Sequence, residues 1–131
     1  MRVFERLDFL YMPSHDAAHD VEHFGARLGG ELVFAIEAFG TRVAMLRLHP
    51  GRPDVLLAEH LAGDQPVLVY RVAELERAMD ELQARGAGFG ARFEIPHGPG
   101  IELVNPGPQR LALYELTRPH AAMRLAGRRD F

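Results

Sequence analysis

The chain has 131 residues, and its 47% hydrophobic and 25% charged residues are the proportions of a single globular domain. The absence of cysteine excludes disulfides, thiolate zinc sites and cysteine nucleophiles, and the absence of lysine excludes Schiff-base chemistry on a lysine. A net charge of −3 offers no basic face for nucleic acid, and no apolar run reaches the roughly 18 residues of a membrane span. Because the N-terminus also lacks the pattern of a signal peptide, we expect a cytoplasmic protein that binds neither nucleic acid nor membranes.

The first half of the chain predicts one strand, one helix and three further strands. Alternating apolar residues predict a strand over residues 7–12, and Pro13 ends it. Ser14 or Asp16 then provides an N-cap, since either side chain can accept from a free N–H group of the first helical turn. The apolar residues of this helix share one face, at Ala17, Val21, Phe24 and Leu28. Three strands are predicted after the helix, over 31–37, 41–48 and 54–59.

The second half of the chain repeats this order. A strand is predicted over residues 67–72 and a helix over residues 73–85, which Gly86 ends. Three more strands are predicted, over 92–95, 101–104 and 110–116. The sequence therefore predicts a βαβββ unit twice, with an offset of about 58 residues between the copies.

We expect one domain over residues 1–117, with modules at about 6–60 and 65–117, followed by a basic tail over residues 118–131. The tail carries four arginines, and we expect it to pack on an acidic surface of its own chain or of a partner subunit. Since open sheet edges need covering, a homodimer is also expected.

The order of these motifs is similar to that of the vicinal oxygen chelate superfamily, which includes glyoxalase I, extradiol dioxygenases and bleomycin-resistance proteins. The residues that carry the resemblance are Asp16, His23-Phe24 and Leu28-Gly29-Gly30 in the first module, and residues 72–76, Leu82, 85–87 and 105–115 in the second. The resemblance covers roughly residues 6–117. It implies an α+β fold in which two tandem βαβββ modules form curled mixed sheets around a cup.

The resemblance also implies a divalent metal in the cup, held by one ligand on each of four strands. Carried over residue by residue, these four positions fall on Phe9, Leu57, Val67 and Ala112, and all of them are apolar. We therefore expect no metal site and no cofactor.

Other candidate metal ligands remain open. Asp8 and Glu115 are acidic residues near two of the four positions, and shifted pairing could bring them into the cup, whereas Glu59 lies on the same face as Leu57 and could be a lone ligand. A separate set of histidines, His15, His19 and His23, has a metal-compatible spacing but lies opposite the apolar face of the first helix. We interpret these histidines as a solvent-exposed stripe.

Strand alternation places a mostly apolar set of residues on the concave face, typical of a small-molecule pocket. The candidate ligand-binding residues are Phe9, Tyr11, Leu57, Glu59, Val67, Val69, Arg71, Ala112 and Tyr114. The alternative is that Phe9 and Tyr11 fill the cup. His97 lies in a loop between two strands, where an exposed turn is expected more than a general base.

Three functions are compatible with these observations. The one we favour is a metal-free protein that binds a small organic molecule in an apolar cup. The second is a metal-dependent lyase, isomerase or dioxygenase with shifted ligands, and the third is a structural or regulatory dimer module without a ligand. The sequence assigns no catalytic residue.

Overall fold

The computed structural model describes residues 2–131 and confirms the repeated βαβββ order. The first module consists of β1 (Arg6–Pro13), α1 (Ala17–Glu22), a π-helical turn (His23–Arg27), β2 (Glu31–Ala38), β3 (Thr41–Arg47) and β4 (Asp54–Ala58). The second module consists of β5 (Val67–Val72), α2 (Leu75–Ala84), β6 (Gly88–Ile95), β7 (Gly98–Val104) and β8 (Leu111–Glu115). A short helix that the sequence did not predict, α3 (Ala121–Leu125), follows β8.

The eight strands form one mixed, open sheet in the order β2-β3-β4-β1-β5-β8-β7-β6. The two modules join within the chain through the antiparallel pair β1–β5, while β1 runs parallel to β4 and β5 runs parallel to β8. The sheet curls strongly. The ring centroid of Tyr11 on β1 lies 5.5 Å from that of Phe93 on β6, although the two strands are four places apart in the sheet. The predicted α+β fold of two modules with a curled mixed sheet is therefore confirmed.

Apolar side chains separate into an inner and an outer set. The inner cluster spans both modules and includes Phe9, Tyr11, Phe34, Met45, Val67, Val69 and Tyr114. The outer residues form two clusters, one beneath α1 around Val21 and one beneath α2 around Leu75. Each helix thus covers the outer face of its own module, and the concave side of the sheet faces away from both helices.

The first helix departs from its predicted apolar face near its C-terminal end. Asp16 caps α1 as predicted, with its carboxylate accepting from the backbone N–H of His19 at 3.1 Å. The π-helical turn that follows takes an extra residue per turn, which rotates the side chains after it. Leu28, predicted to face inward, is consequently 54% exposed. No helix within residues 2–131 has the length and apolar character needed to cross a bilayer.

The C-terminal segment, residues 117–131, begins against the β6–β7 turn of the second module and then packs on the first module. Leu125 of α3 contacts the inner cluster, and residues 127–130 run along the outer edge of β2. Backbone bonds fix this pairing, with Ala35 N–H donating to the Arg128 carbonyl at 2.9 Å and Asp130 N–H donating to the Ala35 carbonyl at 2.7 Å. Apolar and backbone contacts hold most of the tail, which was expected to pack on an acidic surface. Of its arginines, Arg118 pairs with Glu94 of β6 and Arg128 pairs with Asp130 of the tail itself.

We predict that ending the chain after Pro119 lowers the free energy of unfolding by about 3 kcal/mol, because the apolar contacts of α3 are lost. It also uncovers the edge of β2, which should make association dependent on concentration. Thermal denaturation and light scattering measure the two effects. Arg129→Ala is the control, since within residues 2–131 its side chain bonds only to the Phe131 carbonyl. A truncated chain with wild-type stability would contradict the structural role of the segment.

Candidate functional site

Most of the predicted cup residues lie together on the inner face of the sheet. Phe9, Tyr11, Val67, Val69, Ala112 and Tyr114 are each at most 1% exposed. Phe34, Met45 and Ile95 pack against them from β2, β3 and β6. These predicted residues therefore form a filled floor beneath the concave side and do not line open space.

Two of the predicted cup residues, Leu57 and Glu59, face the opposite side. The β1–β4 register pairs Tyr11 with Leu56, so Leu56 and Ala58 are the inner residues of β4. Leu57 instead packs in the cluster beneath α1. The Glu59 carboxylate accepts from the backbone N–H of Ala17 at 2.9 Å, which satisfies a free donor at the start of α1. The sequence prediction was thus wrong by one residue on β4.

Arg71 lies at the edge of the inner face and does not enter it. It pairs with Tyr114 in the β5–β8 register, but its guanidinium Nε lies 3.2 Å from a carboxylate oxygen of Glu5. This partly buried ion pair sits beside the N-terminal end of β1. Arg71 is therefore at the rim of the floor, at the end opposite to the cavity described below.

Asp8 is a buried charge that strict alternation would place on the outer side. A β-bulge between Leu7 and Phe9 interrupts the β1–β5 register, and the Asp8 carboxylate receives a short hydrogen bond from the Tyr114 hydroxyl. Arg6 donates to it at 2.6 Å, and the Arg52 guanidinium lies 3.6 Å away. Burial and the bond to Asp8 raise the pKa of Tyr114 well above its ordinary value, so the phenol stays a donor.

His97 was expected on an exposed turn, and this expectation is wrong. It sits in the β6–β7 turn with 3% exposure, and its ring centroid is 4.6 Å from that of Phe9. Its Nδ1 has no hydrogen-bond partner among the residues that the structure describes. Burial, with a contribution from Arg52, lowers the pKa of His97 to about 4. The ring is therefore neutral at neutral pH and acts as part of the packed floor.

The residues of this chain do not fit the metal of the superfamily it resembles. The inner positions of the four strands hold Phe9, Val67, Ala112 and, on β4, Leu56 and Ala58, none of which offers a ligand atom. Within residues 2–131, no group of three or more histidine, aspartate or glutamate side chains gathers as a metal site.

The shifted acidic candidates lie apart from one another. Asp8 belongs to the Tyr114 network, and Glu59 caps α1. Glu115 accepts from the backbone N–H of Leu75 at 2.8 Å, at the start of α2. His15, His19 and His23 are exposed, as predicted; His19 lies on α1, His15 precedes its N-cap, and His23 begins the π-helical turn.

Open space lies at the mouth of the curled sheet. A cavity of about 860 Å³ lies between the β2–β3 hairpin on one side and the C-terminal segment on the other. Its lining is mainly apolar and includes Ile36, Val43, Ile95, Ala121 and Leu125. Sequence reasoning missed this cavity, because one of its walls is built by residues interpreted as a tail.

Polar groups are confined to a few points of the cavity. His60 bridges its floor and the hairpin, with Nε2 at 3.2 Å from the Tyr11 hydroxyl and Nδ1 at 3.0 Å from Thr41 Oγ1. Burial raises the pKa of Tyr11 to about 12, so it stays a neutral phenol. Arg118 is engaged by the Glu94 carboxylate at 2.7 Å and by backbone carbonyls.

Two further basic side chains, Arg124 and His120, line the cavity without such partners. Neither has an ion pair or a side-chain hydrogen bond within the described part of the chain. Because Arg124 is always charged, the rim beside α3 carries an uncompensated positive charge.

No family model and no curated protein sequence matches the chain, but solved structures match its fold. The methylmalonyl-CoA epimerase of Mycobacterium tuberculosis superposes with a TM-score of 0.74 at 18% identity, over 93% of this chain and 95% of the epimerase. A Streptomyces coelicolor methylmalonyl-CoA epimerase variant in complex with 2-nitronate-propionyl-CoA superposes with a TM-score of 0.70 at 17% identity, over 88% of this chain and 96% of the epimerase. A hypothetical protein of Bacillus halodurans superposes with a TM-score of 0.70 at 14% identity, over 84% of this chain and 93% of that protein. The epimerases are members of the vicinal oxygen chelate superfamily, so the predicted fold is confirmed.

We predict that His97 makes the fold sensitive to acid. The unfolded chain takes up a proton on His97 near pH 6.5, whereas the folded chain does so only near pH 4. Between these values the unfolded state binds more protons, so the free energy of unfolding falls as the pH falls, by on the order of 3 kcal/mol in total. Denaturant titrations at several pH values measure this slope.

The matched variants are His97→Gln and His19→Gln. The first removes the buried titrating group and should flatten the dependence of stability on pH between 6.5 and 4. The second alters an exposed histidine and should keep the wild-type profile. Equal slopes in all three proteins would contradict the assignment to His97.

Proposed function

We propose that this chain binds a small organic anion with an apolar body in the cavity between the β2–β3 hairpin and the C-terminal segment. The observation that supports this proposal is an apolar cavity of about 860 Å³ with an unpaired arginine, Arg124, on its rim. Small-molecule pockets have volumes of roughly 300–1,000 Å³ and combine apolar walls with a few polar groups that orient the ligand.

The apolar walls supply affinity and the basic rim supplies orientation. A ligand group that loses about 100 Å² of apolar surface against Ile36, Val43 and Leu125 gains roughly 2.5 kcal/mol. The Arg124 guanidinium is exposed, so its attraction for an anion is modest and screened by salt. It can nevertheless hold a carboxylate or sulfonate through two parallel hydrogen bonds.

The structural neighbours support a small-molecule ligand but no particular reaction. Two of them were solved with CoA derivatives, 2-nitronate-propionyl-CoA and methylmalonyl-CoA. At 12–18% identity the likeness supports the fold alone, so we do not extend the epimerase activity to this chain.

The other two functions have less support. A metal-dependent enzyme with shifted ligands needs a donor set, and the acidic candidates lie apart from one another. A module without a ligand does not account for the cavity. The homodimer and the cytoplasmic location stay predictions.

We predict that 1-anilinonaphthalene-8-sulfonate binds the folded chain at one site. Arg124→Ala should weaken this binding about three- to tenfold, because a charge-assisted contact to the sulfonate is lost. Fluorescence titration at low salt measures the affinity. Arg27→Ala is the matched control, since Arg27 lies in the π-helical turn, outside the cavity. Equal weakening in both variants would indicate a non-specific charge effect and would contradict this site.

We further predict that the purified, untagged chain holds well under one metal ion per molecule, and that a chelator leaves the affinity for the sulfonate unchanged. The reason is that the four positions at which the superfamily holds its metal are occupied by Phe9, Val67, Ala112 and, on β4, Leu56 or Ala58, which carry no ligand atom. Elemental analysis measures the metal content. His19→Ala/His23→Ala should be analysed in parallel, because the exposed histidines of α1 can hold metal adventitiously. One metal per chain that survives this double substitution would contradict the prediction.

A further inference from the structure

Phe39 occupies a backbone conformation that suits its residue type poorly. The last pair of the β2–β3 ladder is Ala38 with Thr41, so Phe39 and Gly40 alone form the turn. Both have positive φ values, 53° and 74°, as a type I′ turn requires. Asparagine followed by glycine is favoured there, whereas a bulky residue at positive φ is strained.

The ring of Phe39 is also fully exposed to water. Phe39 is one of the residues that line the cavity, and the hairpin is fixed beside the cavity by the bond from Thr41 to His60. Phe39 therefore has an unfavourable backbone and an unfavourable solvent exposure, and neither is compensated by packing within the chain. Strained residues of this kind concentrate at ligand clamps.

We propose that the Phe39 ring covers the mouth of the occupied cavity and gives the site a preference for ligands that carry an aromatic ring. This inference rests on the proposed function, because it concerns the same cavity. A planar ligand ring between Phe39 and the apolar wall gains offset-stacked or edge-to-face contact, which an aliphatic chain does not provide. The anionic end of the ligand then lies towards Arg124, on the opposite wall.

The test compares two anions on three proteins. The probes are 1-anilinonaphthalene-8-sulfonate, which is aromatic, and decanoate, which is aliphatic, and the proteins are the wild type, Phe39→Asn and Phe39→Leu. Phe39→Asn should melt a few degrees higher than the wild type, because asparagine suits the turn. It should also bind the aromatic probe about three- to tenfold more weakly, and decanoate less than twofold more weakly.

Phe39→Leu distinguishes the contribution of the aromatic ring from that of apolar surface alone. It keeps apolar surface at the turn, so decanoate binding should stay near the wild-type value while the preference for the aromatic probe is lost. Met123→Gln is the control, since Met123 is another exposed apolar residue that does not line the cavity. It should bind both probes as the wild type does.

The possible failures are distinguishable. If the wild type binds neither probe, the proposed function is wrong and this inference is wrong with it. If the wild type binds both probes and Phe39→Asn binds each of them as tightly as the wild type does, only the role of Phe39 is wrong. If Phe39→Asn instead changes the mass measured by sedimentation and leaves both affinities unchanged, Phe39 contacts another chain, and the inference is again overturned.

Discussion

The antiparallel pairing of β1 with β5 is the contact on which the rest of the molecule depends. It joins the two modules into one sheet and places Phe9 and Tyr11 beside Val69 and Val67 on the same inner face. The outer face of each module carries apolar residues that must be shielded from water, and the helix of the same module covers them. A glutamate accepts a hydrogen bond from the start of each helix. Glu59 follows β4, the parallel neighbour of β1, and bonds to α1, while Glu115 ends β8, the parallel neighbour of β5, and bonds to α2. These repeated carboxylates satisfy free N–H groups at the helix starts, so they serve the fold.

A second constraint is the charge buried at the centre of the sheet. Asp8 is fully buried, and a carboxylate in such a place requires hydrogen bonds and opposite charge. Tyr114 and Arg6 provide the bonds, and Arg52 adds a nearby positive charge. Burial is the main cause of the lowered pKa of His97; Arg52 lowers this pKa further, and Asp8 acts in the opposite direction. The polar network therefore acts on the apolar floor through His97.

The element order could be predicted from hydrophobic periodicity. The inner faces of β1, β5 and β8 could be predicted from the resemblance to the superfamily, which places Phe9, Val67 and Ala112 at inner positions from which parity fixes the rest. The facing of β4 could not. All five residues from Asp54 to Ala58 are buried, so the strand has apolar neighbours on both sides and no alternation to read. The bulge at Asp8 and the π-helical turn each change the phase of an element without a sequence signal. The helix α3 has five residues, too few to show a period.

The filled floor decides where a ligand can lie. Phe9, Tyr11, Phe34 and Met45 occupy the centre of the concave side, and the cavity lies at its mouth. That mouth is built from a hairpin turn and a C-terminal segment, which are peripheral to the core. If the proposed function holds, substitutions in residues 36–43 and 117–125 alter ligand choice while the floor keeps its packing, whereas a substitution in the floor changes stability and site together.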